Sequence, residues 1–169
     1  TPTRTGDAAG LCADMKLLAL ALCGERGISP DHITSIGIGV PGSFDKKTCT
    51  LKFGTNLGMN NVCFADAFRP EFGCAVQLDN DANCAALGEA TAGSAKGARN
   101  MVMVTLGTGV GGGIIIDGKL YTGSNGIAGE IGHIVIQRDG GQCGCGRKGC
   151  LVAYTSAASF VKFAERALA

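Results

Sequence analysis

The strongest constraint on the fold of this chain is a cluster of potential metal ligands near its C-terminal end. Three of the nine cysteines, Cys143, Cys145 and Cys150, lie within eight residues of one another, and His133 lies ten residues before the first of them. One imidazole and three thiolates are a known closed, tetrahedral ligand set for zinc. Glycines between the cysteines allow the chain to turn tightly around one ion. The spacing predicts a structural zinc site and favours it over three separate thiols.

The surroundings of this cluster fit the same interpretation. Arg147 and Lys148 offset the negative charge of the thiolates. A disulfide between Cys143 and Cys145 is disfavoured because only one residue separates them. No basic and apolar signal segment opens the chain, and the early apolar run at residues 17–23 is too short to cross a membrane. We expect a cytoplasmic protein without a membrane segment, in which the six scattered cysteines are small buried apolar residues.

The composition narrows the possible functions. Only 17% of the residues are charged, the net charge is +1 and no basic stripe is present, so nucleic-acid binding has no support. Apolar residues make up 46% of the chain, enough to build a core, and the 28 glycines predict many tight turns and close backbone approaches.

The order of predicted elements is typical of an α/β fold. Residues 7–26 predict a helix, because apolar residues recur every three or four positions at Leu11, Met15, Leu18 and Leu22. Later helices are predicted at residues 65–73, 83–93 and 151–168. Strands are predicted at residues 36–40, 74–78, 101–106 and 114–116, with further short strands in 43–62 and in 130–137. Residues 95–100 predict a boundary between two lobes, 1–98 and 99–169.

Two details of these elements are specific enough to test. Asp117-Gly118 is a strong signal for a two-residue hairpin turn. In the last predicted helix, the expected core contacts are Leu151, Tyr154, Phe160 and Phe163.

The glycine-rich stretch at residues 106–113, LGTGVGGG, lies between two predicted strands. Its predicted turn at residues 108–113 exposes backbone N–H groups that form a phosphate-binding concavity, with the Thr108 hydroxyl as a further donor. The alternative is an ordinary glycine-rich hairpin, and the local pattern leaves both interpretations open.

Asp79 and Asp81, in LDNDAN, follow a predicted strand. A carboxylate at a strand end in an α/β fold is well placed to accept a proton from a substrate hydroxyl. Taken alone, however, this segment is better interpreted as the cap of the following helix, because Asp and Asn are favoured there.

Taken together, these motifs resemble the ROK family (repressors, open reading frames and sugar kinases), and within it the bacterial glucokinases. The matching stretches are GIGVPGSFD, NLGMNN, LDNDANCAALGE, LGTGVGGGIIIDGKLYTG, GEIGH and CGCGRKGC. The resemblance implies an actin-like (ribonuclease H-like) sugar kinase fold of two lobes, with the site in the cleft between them. It implies ATP-dependent phosphorylation of a hexose, first of all glucose, at the 6-hydroxyl, with Mg²⁺ accompanying ATP.

The resemblance also assigns roles to single residues. Asp81 is expected to be the general base, and Gly42, Asn80, Glu130 and His133 to bind the sugar. Thr108 and Gly109 are expected to hold the ATP phosphates. His133 is expected to bind zinc through one ring nitrogen and a sugar hydroxyl through the other.

Two departures from the family pattern raise further expectations. The family begins with an Asp-x-Gly-Gly-Thr phosphate motif and continues well past position 169, so we expect this chain to be an internal fragment that is inactive by itself. Val152 occupies a position where the family usually has a glutamate that contacts the sugar, so weaker sugar binding is expected.

The resemblance leaves two functions open. ROK repressors share the zinc motif and the sugar-binding residues, and they would bind nucleic acid. They often lack the catalytic Asp, so Asp81 favours the kinase. Several hexoses and N-acetylhexosamines stay possible as substrates, and a homodimer is plausible.

Overall fold

The computed structural model describes residues 2–168, which form two compact units divided between Asp81 and Ala82. Each unit combines helices with a sheet, which confirms the α/β prediction. The lobe boundary at residues 98 and 99 stays a prediction. None of the helices in the described residues is both long and apolar enough to span a membrane.

The first unit contains two helices, five strands and two short 3-10 turns. The helices are α1 (Ala8–Arg26) and α2 (Phe64–Phe72), and the 3-10 turns are Pro30–His32 and Thr55–Leu57. The strands are β1 (Ser35–Val40), β2 (Ser43–Asp45), β3 (Thr50–Gly54), β4 (Met59–Cys63) and β5 (Ala75–Asn80). β1 pairs with β5 in parallel, and β2, β3 and β4 form an antiparallel sheet.

Helix α1 shows where a periodic pattern misjudges burial. Leu11 is buried as predicted, but Leu18 and Leu22 are 48% and 56% exposed. The face turned to the core instead continues from Leu11 through Met15 to the smaller Ala19 and Cys23. Small residues allow this helix to pack closely, and the leucines lie beside the contact face.

The second unit contains helix α3 (Asp81–Thr91) from Ala82 onward, and an antiparallel sheet. Its strands are β6 (Met101–Leu106), β7 (Val110–Ile116) and β8 (Lys119–Leu120), in that spatial order. A 3-10 turn (Ile131–His133), α4 (Val152–Thr155) and α5 (Ala157–Leu168) follow. Asp117 and Gly118 both have positive φ, 51° and 75°, which confirms the hairpin turn.

The predicted strand within residues 130–137 is wrong. Ile131–His133 forms the 3-10 turn, and the residues after it pair with the cysteine loop instead of a sheet: Ile136 N donates to Gly149 O at 2.9 Å, and Val135 bridges to Cys150.

The predicted helix at residues 151–168 is two helices. Ser156 interrupts it with an extended backbone (ψ 154°), and its hydroxyl accepts from Ser159 N at 3.2 Å, so it caps α5. The predicted core contacts Phe160 and Phe163 are 73% and 43% exposed, because α5 presents that face outward.

The prediction that the six scattered cysteines are buried holds for two. Cys23 and Cys49 are buried, whereas Cys12, Cys63 and Cys74 are only partly buried and Cys84 is exposed.

Candidate functional site

The parallel strands of the first unit bring three predicted site residues to one edge of their sheet. Val40 pairs with Asn80, so Gly42 and Asp81 both follow closely on the paired ends of β1 and β5. Gly42 has φ +110°, and a Cβ there would overlap the carbonyl oxygen of Phe53, so only glycine fits this turn. The strand order thus gathers Gly42, Asn80 and Asp81 within the first unit.

Asp81 is also the first residue of helix α3. A carboxylate in the first turn of a helix is stabilising. Asp81 can therefore stabilise the start of α3 and also accept a proton.

A turn that the sequence did not single out is attached to the same strand. Lys46 Nζ lies 2.5 Å from Asp79 Oδ2, and Asp79 Oδ1 accepts from Asn80 N at 2.8 Å. The buried thiol of Cys49 donates to Val76 O at 2.7 Å. The turn at residues 46–49 therefore supports β5 just before Asn80. No sequence signal distinguishes Lys46 from its neighbour Lys47, because the contact depends on the fold.

The glycine-rich stretch divides into two parts with different roles. Only residues 107–109 form the turn, where Gly107 N donates to Gly109 O at 3.0 Å. Strand β7 already begins at Val110, so the predicted turn at 108–113 is wrong beyond residue 109. Thr108 and Gly109 both lie in the observed turn.

The glycines of β7 serve packing instead. A Cβ at Gly112 would lie 2.5 Å from Ile131 Cδ1 and 2.6 Å from Gly129 O, and one at Gly113 would overlap Ala86. The missing side chains allow α3 and the segment at 129–132 to approach β7 from opposite faces.

The second unit brings the four predicted metal ligands together. Ligand atoms of His133, Cys143, Cys145 and Cys150 all lie within 4.8 Å of one another. His133 Nδ1 is 3.6 Å from Cys143 Sγ, and Cys145 Sγ is 3.7 Å from Cys150 Sγ. Thiolates about 2.3 Å from a tetrahedral zinc ion lie roughly 3.8 Å apart. The donor set and its spacing therefore fit zinc.

The thiols of the cluster differ in their surroundings. Hydrogen bonds from the backbone N–H and guanidinium of Arg147 lower the pKa of Cys145 to about 6. Burial raises the pKa of Cys150 to about 11. A cation at the centre favours the thiolate form of each ligand, since the thiolate is what binds metal.

His133 faces in two directions. Its Nδ1 is turned to Cys143, and its Nε2 lies 4.0 Å from Glu130 Oε2. The glutamate is the more exposed of the two side chains. One ring nitrogen thus points to the cluster and the other to a second predicted sugar-binding residue.

Tyr154 anchors the cysteine loop. Its hydroxyl accepts from Gly141 N at 2.6 Å, and a Cβ at Gly140 would overlap the same oxygen. The sequence predicted Tyr154 only as an apolar core contact. Its polar end, which periodicity does not report, attaches the loop to α4.

Comparison with known structures defines the class of this fold. A ROK hexokinase from Thermus thermophilus superposes with a TM-score of 0.83 at 30% identity, over 99% of this chain and 55% of that chain. A ROK glucokinase from Streptomyces griseus, in complex with glucose and AMPPNP, gives 0.77 at 36% identity, over 98% of this chain and 51% of that chain. The fold is the actin-like fold of ROK sugar kinases, as the sequence predicted.

The sequence comparisons place the chain in a family. The ROK family profile matches residues 22–169, and the chain belongs to the ROK family. It is 43% identical to a glucokinase from Halalkalibacterium halodurans over 137 residues, 80% of this chain and 42% of that protein. It is also 40% identical to a xylose repressor from Caldicellulosiruptor bescii over 128 residues, 76% of this chain and 32% of that protein. The chain thus spans less than half the length of these relatives.

Proposed function

We propose that this protein phosphorylates the 6-hydroxyl of a hexose with ATP, with glucose as the first candidate substrate. The observation that carries the proposal is the pairing of Val40 with Asn80, which places Asp81 and Gly42 at one sheet edge. The similarity to glucokinases, including one whose structure holds glucose and AMPPNP, supports it.

In this proposal Asp81 accepts the proton of the sugar 6-hydroxyl as that oxygen attacks the γ-phosphorus of ATP, and the bond from the γ-phosphorus to the bridging oxygen breaks to release ADP. Gly42, Asn80, Glu130 and His133 hold the sugar hydroxyls. Thr108 and the backbone at Gly109 bind the phosphates of ATP. Mg²⁺ bound with ATP supplies neutralisation of the phosphate charge. The protein's own part is to position the hydroxyl and the phosphates and to take up the proton.

Zinc has a structural role in this proposal. Four protein ligands, His133, Cys143, Cys145 and Cys150, fill a tetrahedral site, so no position is left for substrate. By binding His133 at Nδ1, the ion would orient Nε2 toward Glu130 and the sugar.

A coupled assay of the complete protein tests this function. We expect ADP formation that depends on the hexose, with glucose compared against fructose, allose, N-acetylglucosamine and N-acetylmannosamine. If the complete protein phosphorylated none of these five sugars, the proposal would be contradicted. We also propose that the protein is cytoplasmic, takes part in glycolysis and forms a homodimer.

The second candidate function is a sugar-sensing repressor, favoured by the similarity to a xylose repressor. The two functions predict different assays, since a repressor binds DNA in a sugar-dependent manner without consuming ATP. The presence of Asp81 supports the kinase, because a sensor needs no general base.

Val152 tests the substrate part of the proposal. It is the first residue of α4, directly after the cysteine loop, and is partly buried. Valine cannot accept a hydrogen bond from a sugar hydroxyl, and a missing buried partner costs about 1–3 kcal/mol. We expect Val152→Glu to lower the KM for the sugar in the complete protein, with Val152→Leu as the apolar control. Unchanged KM in Val152→Glu would contradict this role.

A further inference from the structure

Arg147 contacts both parts of the metal cluster. Its guanidinium Nη2 donates to the carbonyl oxygen of His133 at 3.1 Å. Its own carbonyl accepts from Cys143 N at 2.9 Å. One residue therefore contacts two of the four residues that carry the ligand atoms.

The contact with His133 differs from the other links between these segments. Ile136 N donates to Gly149 O and Leu151 N to Ile134 O, both at 2.9 Å. Those backbone bonds hold the chain after the histidine. Arg147 holds the peptide group of His133 itself, where the 3-10 turn ends.

The guanidinium also suits the charge of a filled site. Three thiolates and a neutral imidazole around a divalent cation leave one net negative charge, and Arg147 brings one positive charge to it. A planar guanidinium can donate to a carbonyl and a thiolate together, whereas a lysine ammonium is a single point charge on a flexible stem.

We propose that Arg147 is a positioning residue for His133, fixing the imidazole between the metal cluster and Glu130. The sugar half of this proposal rests on the proposed function, but the metal half does not. Removing Arg147 loosens the histidine, so metal affinity falls and the sugar loses one well-placed partner.

The metal half is tested by zinc affinity of the complete protein, measured by competition with a chromophoric chelator. We expect Arg147→Ala to weaken zinc binding by about 10–100-fold, the usual effect of a residue that supports a metal ligand. Arg147→Lys should recover only part of this loss. Arg138→Ala, which removes an exposed arginine of the same unit, is the matched control and should bind zinc as the parent protein does.

A spectroscopic measurement separates positioning from general loosening. With Co²⁺ in place of zinc, Arg147→Ala should shift the visible absorption bands of the tetrahedral site, because His133 binds in a changed orientation. Arg138→Ala should leave them unchanged. Equal loss of affinity in both variants, or no loss in Arg147→Ala, would overturn the proposal. Circular dichroism with excess zinc verifies that each variant is folded.

The sugar half is tested by steady-state kinetics. In Arg147→Ala, saturated with zinc, the KM for glucose should rise more than kcat falls, since His133 binds the sugar and takes no part in proton transfer. An unchanged KM would overturn this half. A protein that binds zinc in an Arg147-dependent way but phosphorylates no hexose would overturn the proposed function alone. A parent protein that binds no zinc would overturn the metal half.

Discussion

The sheet edge of the first unit and the metal-ligand loop of the second unit place their functional residues by different means. Asn80 and Asp81 follow from the register of two parallel strands, in which every residue of β1 has a partner in β5. The ligands between His133 and Cys150 lie on no regular strand and are joined by scattered hydrogen bonds and isolated bridges. The edge is held by the backbone. The loop gathers an imidazole and three thiols, which would repel one another as thiolates, so we expect a bound cation to stabilise it.

The largest expected effect is on catalysis at the sheet edge. Asp81→Asn keeps the size of the side chain but removes its ability to accept a proton. We expect kcat to fall by about 10²–10⁴-fold with little change in sugar affinity. The control is Asp66→Asn, a carboxylate in the first turn of α2, which should keep full activity. If Asp81→Asn retained most of the activity, Asp81 would not be the general base.

The next largest effect is expected in the loop. Cys150 is completely buried, and Cys150→Ser removes one ligand from a four-ligand set. Metal affinity should fall by more than the ~10–100-fold typical of supporting residues. Zinc content by mass spectrometry measures this. Cys84→Ser, at an exposed cysteine of α3 outside the cluster, should keep its zinc. Equal zinc content in both variants would show that the cluster does not hold the ion.

Two glycines of the second unit, Gly132 and Gly144, differ in how closely other atoms approach them. A Cβ at Gly132 would overlap Val110 O and lie 3.0 Å from Val110 Cβ, whereas at Gly144 no atom lies within 4 Å. Gly132→Ala should therefore lower the free energy of unfolding by about 1–3 kcal/mol, and Gly144→Ala should be nearly neutral. Urea denaturation measures both. If both substitutions lowered the free energy of unfolding by similar amounts, the close contact at Gly132 would not be the reason for its effect.

The smallest effect is expected in the turn beside the sheet edge. The backbone N–H groups of Lys47 and Thr48 bind the Asp45 carboxylate and lower its pKa. A carboxyl with a lowered folded-state pKa stabilises the fold above its unfolded value of about 3.9 and loses that effect as the pH falls through the folded value. An NMR titration should place the Asp45 pKa below the usual range. Asp45→Asn should remove this acid dependence, because the amide oxygen still accepts but does not titrate. A normal Asp45 pKa would contradict the turn geometry.

How much of the site follows from the sequence depends on the kind of residue. His133, Cys143, Cys145 and Cys150 could be predicted to converge, because an imidazole and three thiols at that spacing match a known zinc-ligand set. The supporting roles of Tyr154 and Lys46 could not, since their partners lie 13 and 33 residues away.

The same limit applies to burial and to glycine. Leu18, Leu22 and Phe160 match a buried pattern but are exposed, because the helix face that packs depends on the neighbouring elements. Gly109 and Gly113 belong to the same glycine-rich stretch, and the sequence does not distinguish their roles. Gly109 lies in an open turn, whereas Gly113 leaves room for the side chain of Ala86 in α3.

The amino-acid sequence alone was enough to predict the α/β class, the ROK family motifs and the chemical identity of the candidate groups: a carboxylate at a strand end, a glycine turn, and an imidazole with three thiols. These follow from side-chain chemistry and local periodicity, which are properties of short stretches. The folded chain was needed to show which strand ends lie side by side, which glycines allow close packing and which form turns, and that Arg147 contacts His133. Those outcomes depend on contacts between distant residues, whose geometry no local stretch contains.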